Sequence, residues 1–198
     1  MNIKSIQNPN ELKRVYSFVR SILDLPENCN RNLYFYLDII KKTPEYLLCA
    51  MEGNEIKGAI FAIPQNDDEN GIFIGELAVS KDSRGEGIGS LLLYELEKVA
   101  RMNKKKSILL ASLETALIFY EKHVFIPKLF IQVEGTGRLE ELRSFTERNG
   151  VKDSISWESE ENGFSKVVVD LKRIDKNLKS KAEEITNSHC QFLFFKEI

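Results

Sequence analysis

Three glycines within five residues, in the stretch Arg84-Gly85-Glu86-Gly87-Ile88-Gly89, stand where an apolar run gives way to an amphipathic one. Glycine admits backbone angles that a Cβ forbids, and it lets a ligand approach the main chain closely. Ahead of the glycines, Glu76–Val79 reads as the end of a buried strand and Ser80–Asp82 as the start of a loop. Behind them, Ile88, Leu92, Leu96 and Val99 recur at helical spacing, with Leu91 and Leu93 widening the stripe. Strand, glycine turn and helix in that order put successive N–H groups at a helix N-terminus. Unpaired donors and partial positive charge there favour an anion. The chemistry expected of Arg84–Ser90 is therefore phosphate binding.

Spacing narrows the choice of phosphate ligand. Gly85, Gly87 and Gly89 form G-x-G-x-G, not the G-x-G-x-x-G of a dinucleotide fingerprint, and no Lys follows them as a P-loop requires. What remains is R-x-x-G-x-G preceded by ELAV. Farther along, Ser107–Ala111 (SILLA) reads as an apolar strand, followed by Thr115–Phe125 (TALIFYEKHVF). The two segments resemble the acetyl-CoA diphosphate loop and the A-x-x-F-Y-E-K-x-G-F helix of the GNAT superfamily of N-acetyltransferases. The resemblance runs over roughly residues 1–134 and a last strand at the C-terminus. Two positions depart from it. Glu114 stands where the family often has Asn, and Val124 where it usually has Gly. A β-branched residue disfavours the left-handed cap that a Gly would supply.

The resemblance implies an α/β (α+β) fold of GNAT type. An antiparallel meander leads into a βαβα unit around a mixed central sheet, with an insertion near the C-terminus. It also implies acetyl transfer from acetyl-CoA to a primary amine, directly and within a ternary complex, with no metal. Arg84, Gly85, Glu86, Gly87, Ile88, Gly89 and Ser90 would hold the diphosphate. Leu77, Ala78 and Val79, facing the strand end at Ala111–Ser112, would line the slot for the pantetheine arm, with Ser112 as a further cofactor contact. A main-chain N–H near Leu77 would polarise the thioester carbonyl. The attacking amine must be neutral, and Glu76 is the best-placed base. Strand alternation leaves open whether its side chain points into the slot. Tyr120 occupies the family's position for the proton donor to the leaving thiolate; the alternative is a packed aromatic with a satisfied hydroxyl. Two readings stay open for the whole chain: the enzyme, and a silent acyl-CoA-binding sensor or scaffold that has kept the fold. Within the enzyme reading, transfer of a longer acyl group is the runner-up.

Composition agrees with a globular protein. The 198 residues suit one domain, 1–198, with 135–189 as an insertion or C-terminal elaboration. A net charge of −2 implies no strong field for nucleic acid or a membrane surface. No run approaches the ~18 apolar residues of a membrane span. MNIKSIQNPNELKR has no apolar signal core, and Cys29, Cys49 and Cys190 lack C-x-x-C spacing. A cytoplasmic location with reduced thiols is expected. His123 and His189 are the only histidines, so no zinc cluster is readable.

The remaining elements follow from periodicity. Ile3–Ile6 is a strand, and Glu11–Leu25 a helix stopped by Pro26-Glu27-Asn28. Leu33–Lys42 is a second helix. The resemblance implies that this helical pair flanks the acceptor pocket, so Tyr34, Phe35 and Tyr36 either line an acceptor site or pack as core. Tyr46–Met51, Ile56–Pro64 and Ile72–Val79 form the meander, with a hairpin turn at Glu52–Glu55 and a polar loop at Gln65–Gly71. Cys49 reads as a small buried apolar residue. Beyond Ile126–Glu134, a helix at Arg138–Asn149, a hairpin of Ser154–Ser159 and Phe164–Leu171, a polar helix at Asp175–Ser188 and a strand at Phe192–Ile198 complete the chain. Trp157 is expected in the core of that region. The insertion could shape the acceptor site or mediate a homodimer contact.

Overall fold

The computed structural model describes residues 1–25, 30–65 and 68–198. The expected helix stop at Pro26-Glu27-Asn28, Cys29, and the Asn66-Asp67 part of the polar loop lie outside the described residues. The chain forms two compact units, Met1–Ile108 with Glu197–Ile198, and Leu109–Lys196. Both mix helix and strand, as the α/β class requires.

The first unit runs β1 (Asn2–Ser5), α1 (Pro9–Leu23), α2 (Leu33–Lys42), β2 (Leu47–Glu52), β3 (Glu55–Pro64), β4 (Gly71–Val79) and α3 (Ile88–Met102). The chain enters the second unit within β5 (Ser107–Ala111). Helix α1 starts at Pro9 because the Asn8 side chain accepts from the Glu11 amide at 2.9 Å and Pro9 suits the first helical position. Asn32 caps α2 in the same way, accepting from the Phe35 amide at 3.1 Å. Strands β2, β3 and β4 form the expected antiparallel meander, and β1 pairs antiparallel with β2 on its outer side.

Alternation gives the meander two apolar faces. Leu47, Cys49, Ala59, Phe61 and Ala78 pack under Leu12, Val15, Tyr16 and Val19 of α1 and Tyr36 and Ile40 of α2. The other face receives α3. A Cβ on Gly58 would lie 3.0 Å from both the Ile88 and Leu92 side chains, so this glycine sets how closely α3 approaches β3. One irregularity governs β4. Glu76 pairs with Phe61 and Ile74 with Ala62, which leaves Gly75 as a bulge residue without a partner on β3. In a regular strand residues 74 and 76 would share a face. The bulge puts Ile74 on the α3 side and Glu76 on the side of α1 and α2.

The second unit contains α4 (Leu117–Lys122), β6 (Ile126–Glu134), α5 (Leu139–Arg148), β7 (Ile155–Glu161), β8 (Phe164–Asp170), α6 (Lys176–Thr186) and most of β9 (Gln191–Glu197). Strand β6 pairs antiparallel with β9 on one side and β8 on the other, and β7 adds to β8 as a hairpin through Asn162-Gly163. Residues 135–189 thus leave from one strand of a β6–β9 ladder and return to the other. Leu129, Ile131, Val133, Val167, Val169, Leu142 and Phe145 form buried core.

Trp157 is not in that core; it is 44% exposed. A bulge at Ser156 sets Trp157 opposite Val168. Helix α5 covers the other face, where the Arg138 amide donates to Ser165 and Arg143 grips Glu158 opposite Val167. Cys49 is fully buried, as expected.

Candidate active site

Leaving β4 at Val79, the chain makes one tight turn. The Ser80 amide donates to Lys57 at 2.9 Å, Ser83 to Ser80 at 3.0 Å, and Arg84 to Lys81 at 3.4 Å. Gly85 and Gly87 then adopt φ of +86° and +81°, the left-handed region that a Cβ resists. Gly87 is the N-cap of α3 and no side chain caps the helix. Among the described residues, the amides of Gly85, Glu86, Gly87, Ile88 and Gly89 donate no hydrogen bond within the protein. A Cβ on Gly85 or Gly87 would meet nothing within 4 Å, so the space over the turn is open. Ile88, 2% exposed, anchors the turn against the meander while Arg84–Gly87 stay at the surface. Bare amides, an uncapped helix start and open space fit a diphosphate. Arg84 is not one of the bare amides, since its own amide is engaged by Lys81.

Glu76 lies one bulge away from a regular strand and is 5% exposed. Its Oε1 accepts from Arg31 Nε at 3.0 Å, and its Oε2 accepts from the Tyr36 hydroxyl. Burial raises the carboxyl above its ordinary range, and the Tyr36 hydrogen bond and the Arg31 charge pull the other way. Burial beside this carboxylate pushes the Tyr36 phenol far up, so it stays protonated and donates. The Arg31 guanidinium also sits 5.5 Å from the centre of the Phe73 ring. Leu77 and Val79 are half-buried. Ala78 is in the core under α1 and α2, so it can meet a ligand only through its main chain.

In the second unit, Tyr120 on α4 is 6% exposed, its ring packed on Phe119, Phe125 and Phe194. Its hydroxyl has no hydrogen-bond partner among the described residues, and burial raises its pKa. Ser112 donates its amide to Phe192 at 3.0 Å and its hydroxyl to Leu113 at 2.9 Å. Glu114, where the resemblance expects Asn, pairs with Lys179 of α6 at 3.2 Å. Val124 takes the left-handed position despite its branched Cβ, with φ of +63°. Its amide donates to Glu121 at 3.0 Å and the Phe125 amide to Tyr120 at 3.2 Å, which together cap α4 as a Gly would.

The aromatic run on α2 divides three ways. Tyr36 is fully buried, Phe35 is half-buried, and Tyr34 is 79% exposed. Periodicity does not give Tyr36 its role beside Glu76, and it does not point to Arg31. The signal for both is Gly75, a glycine inside an apolar strand, which marks a bulge or a close approach. A Cβ there would lie 2.9 Å from the Tyr36 hydroxyl and 3.0 Å from Arg31 Nε. Among the described residues no group of His, Cys, Asp or Glu is placed to hold a metal, and no helix is long and apolar enough to cross a membrane.

Residues 10–125 match the model of the acetyltransferase (GNAT) family. No curated protein matches the chain in sequence. Several solved structures are similar. A ribosomal-protein-alanine N-acetyltransferase from Brucella melitensis aligns with a TM-score of 0.53 at 13% identity, over 86% of this chain and 99% of its own. The diaminobutyrate acetyltransferase EctA from Paenibacillus lautus, solved with L-2,4-diaminobutyric acid and coenzyme A, gives 0.51 at 15% identity, over 88% and 99%. An aminoglycoside 6'-acetyltransferase type Ii gives 0.52 at 25% identity, over 63% and 83%.

Proposed function

Since the chain belongs to the acetyltransferase (GNAT) family, we propose that it is an acetyl-CoA-dependent N-acetyltransferase acting by direct transfer in a ternary complex. The acceptor is a primary amine: a small metabolite, a peptide N-terminus or a lysine. The observation that carries this reading is the run of unpaired amides from Gly85 to Gly89 at the start of α3. They bind the diphosphate of the acyl donor, with the dipole of α3 behind them. The main-chain N–H near Leu77 holds the carbonyl oxygen as charge develops on it.

Glu76, directly or through a water, takes the proton that the amine loses as its nitrogen bonds to the acetyl carbon. A buried carboxylate with a raised pKa is a stronger base than one in water. The bond from that carbon to sulfur breaks, and Tyr120 gives its proton to the departing thiolate. Its free hydroxyl supports that role, as does its place in the family's second motif. We read 1–198 as one acetyltransferase domain, with 135–189 inserted between β6 and β9.

The test is thiol release from acetyl-CoA with a panel of amines. Release that depends on one class of amine is expected. Tight CoA binding with no release on any amine would point instead to a silent binding module.

A further inference from the structure

The Glu76 carboxylate is held on both oxygens. Arg31, half-exposed, donates to Oε1 from the loop before α2, and Tyr36 donates to Oε2 from inside α2. The phenol cannot swing away, because its ring is wedged among Phe61 at 4.8 Å, Phe35 at 5.1 Å and Tyr16 at 6.1 Å between centres. Arg31 is steadied in turn by the Phe73 ring. Gly75 completes the arrangement, since any Cβ there would overlap the space of both donors. A carboxylate offers about four acceptor directions. Two donors therefore fix its plane and still leave lone pairs for a proton.

We propose that Tyr36 and Arg31 are positioning residues that keep Glu76 ionised and fixed in orientation as the proton acceptor, and that Gly75 is the bulge residue that makes room for them. This rests on the reading of Glu76 as the base. A hydrogen bond to the charged form lowers a carboxyl pKa, as does a neighbouring cation. Among the described residues, the groups facing the carboxylate are Arg31 from the loop and Tyr36 from α2. Tyr16 of α1 stands behind Tyr36, with Arg20 at 3.4 Å from its hydroxyl. Tyr16 and Arg20 sit one ring farther out, so Tyr36 and Arg31 dominate. A purely structural cross-link between α2 and β4 would make the same contacts. It would leave the pH dependence of the reaction unmoved when either donor is removed.

The experiment is the pH profile of kcat/KM for the native enzyme and the variants Tyr36→Phe, Arg31→Met, Gly75→Ala and Glu76→Gln. It is paired with the 13C titration of the Glu76 carboxyl, assigned by its loss in Glu76→Gln. Arg31→Met changes a half-exposed side chain, so folding is retained there even if the buried variants suffer. Glu76→Gln should lose most of kcat with acetyl-CoA affinity kept. Tyr36→Phe and Arg31→Met should each move the acid limb and the carboxyl midpoint up together, by about one pH unit. Gly75→Ala should move them in the same direction. If Glu76→Gln is inactive while the limbs and midpoints of the other variants stay at the native pH, the positioning role is overturned and the base survives. If Glu76→Gln keeps full kcat/KM, the base reading itself falls, and this proposal with it.

Discussion

Replacing Val124 by glycine should stabilise the protein. Val124 has φ of +63° and is 76% exposed. It closes α4 because the amides of Val124 and Phe125 reach back to Glu121 and Tyr120. A left-handed residue with a Cβ costs about 1–2 kcal/mol. Glycine removes that cost but is freer in the unfolded chain, which returns about 0.4–1 kcal/mol. Removing the valine side chain forfeits at most about 0.5 kcal/mol of apolar burial, since most of it is already in water. The net gain is about 0.5 kcal/mol, or about 1–2 °C in Tm for a chain of this size. Urea unfolding of Val124→Gly against the parent measures it. Val124→Ala keeps a Cβ and should gain much less. A Val124→Gly midpoint below the parent's would show that residue 124 is not strained as described.

Tyr120→Phe should lower kcat by about 10²-fold or more while acetyl-CoA affinity stays near the parent's; equal turnover would remove Tyr120 from proton transfer. Glu76 should make stability fall as pH rises. Its native pKa lies above the ordinary 4.5, so the native state holds the proton when the unfolded chain has lost it. Its contribution is full below that value and is lost as pH rises through the native pKa. Urea midpoints of Glu76→Gln should lack this decline, and curves parallel to the parent's would refute it.

Much of the architecture was legible because its signals are local and periodic. The stripe of Ile88, Leu92 and Leu96 and the glycines before it set the start of α3, and Asn-Gly at 162–163 set the β7–β8 hairpin. The glycine turn was readable because residue type alone permits its angles. What escaped depends on register. Nothing in the run GIFIGELAV states that Gly75 is skipped in pairing, yet that skip decides which way Glu76 faces. Arg31 lies in a short segment without periodicity, so its reach to Glu76 is a tertiary fact. Trp157 reads as core by composition, but the Ser156 bulge turns it to the face away from α5, where it is half exposed. Val124, by its branched Cβ, reads as unfit for a left-handed cap. The paired amides and the buried Phe125 that follows impose the cap all the same.

Calorimetric titration of coenzyme A into the native protein and into Gly87→Val, with pantetheine as the ligand lacking a diphosphate, tests the account most directly. Gly87 has φ of +81° and stands at the start of α3, where no side chain caps the helix. A branched side chain there both strains the turn and intrudes on the open space above it. The account predicts that folded Gly87→Val loses coenzyme A affinity by about 100-fold or more, about 2.7 kcal/mol, while pantetheine binds both proteins alike. Undiminished coenzyme A binding by the folded variant would contradict it.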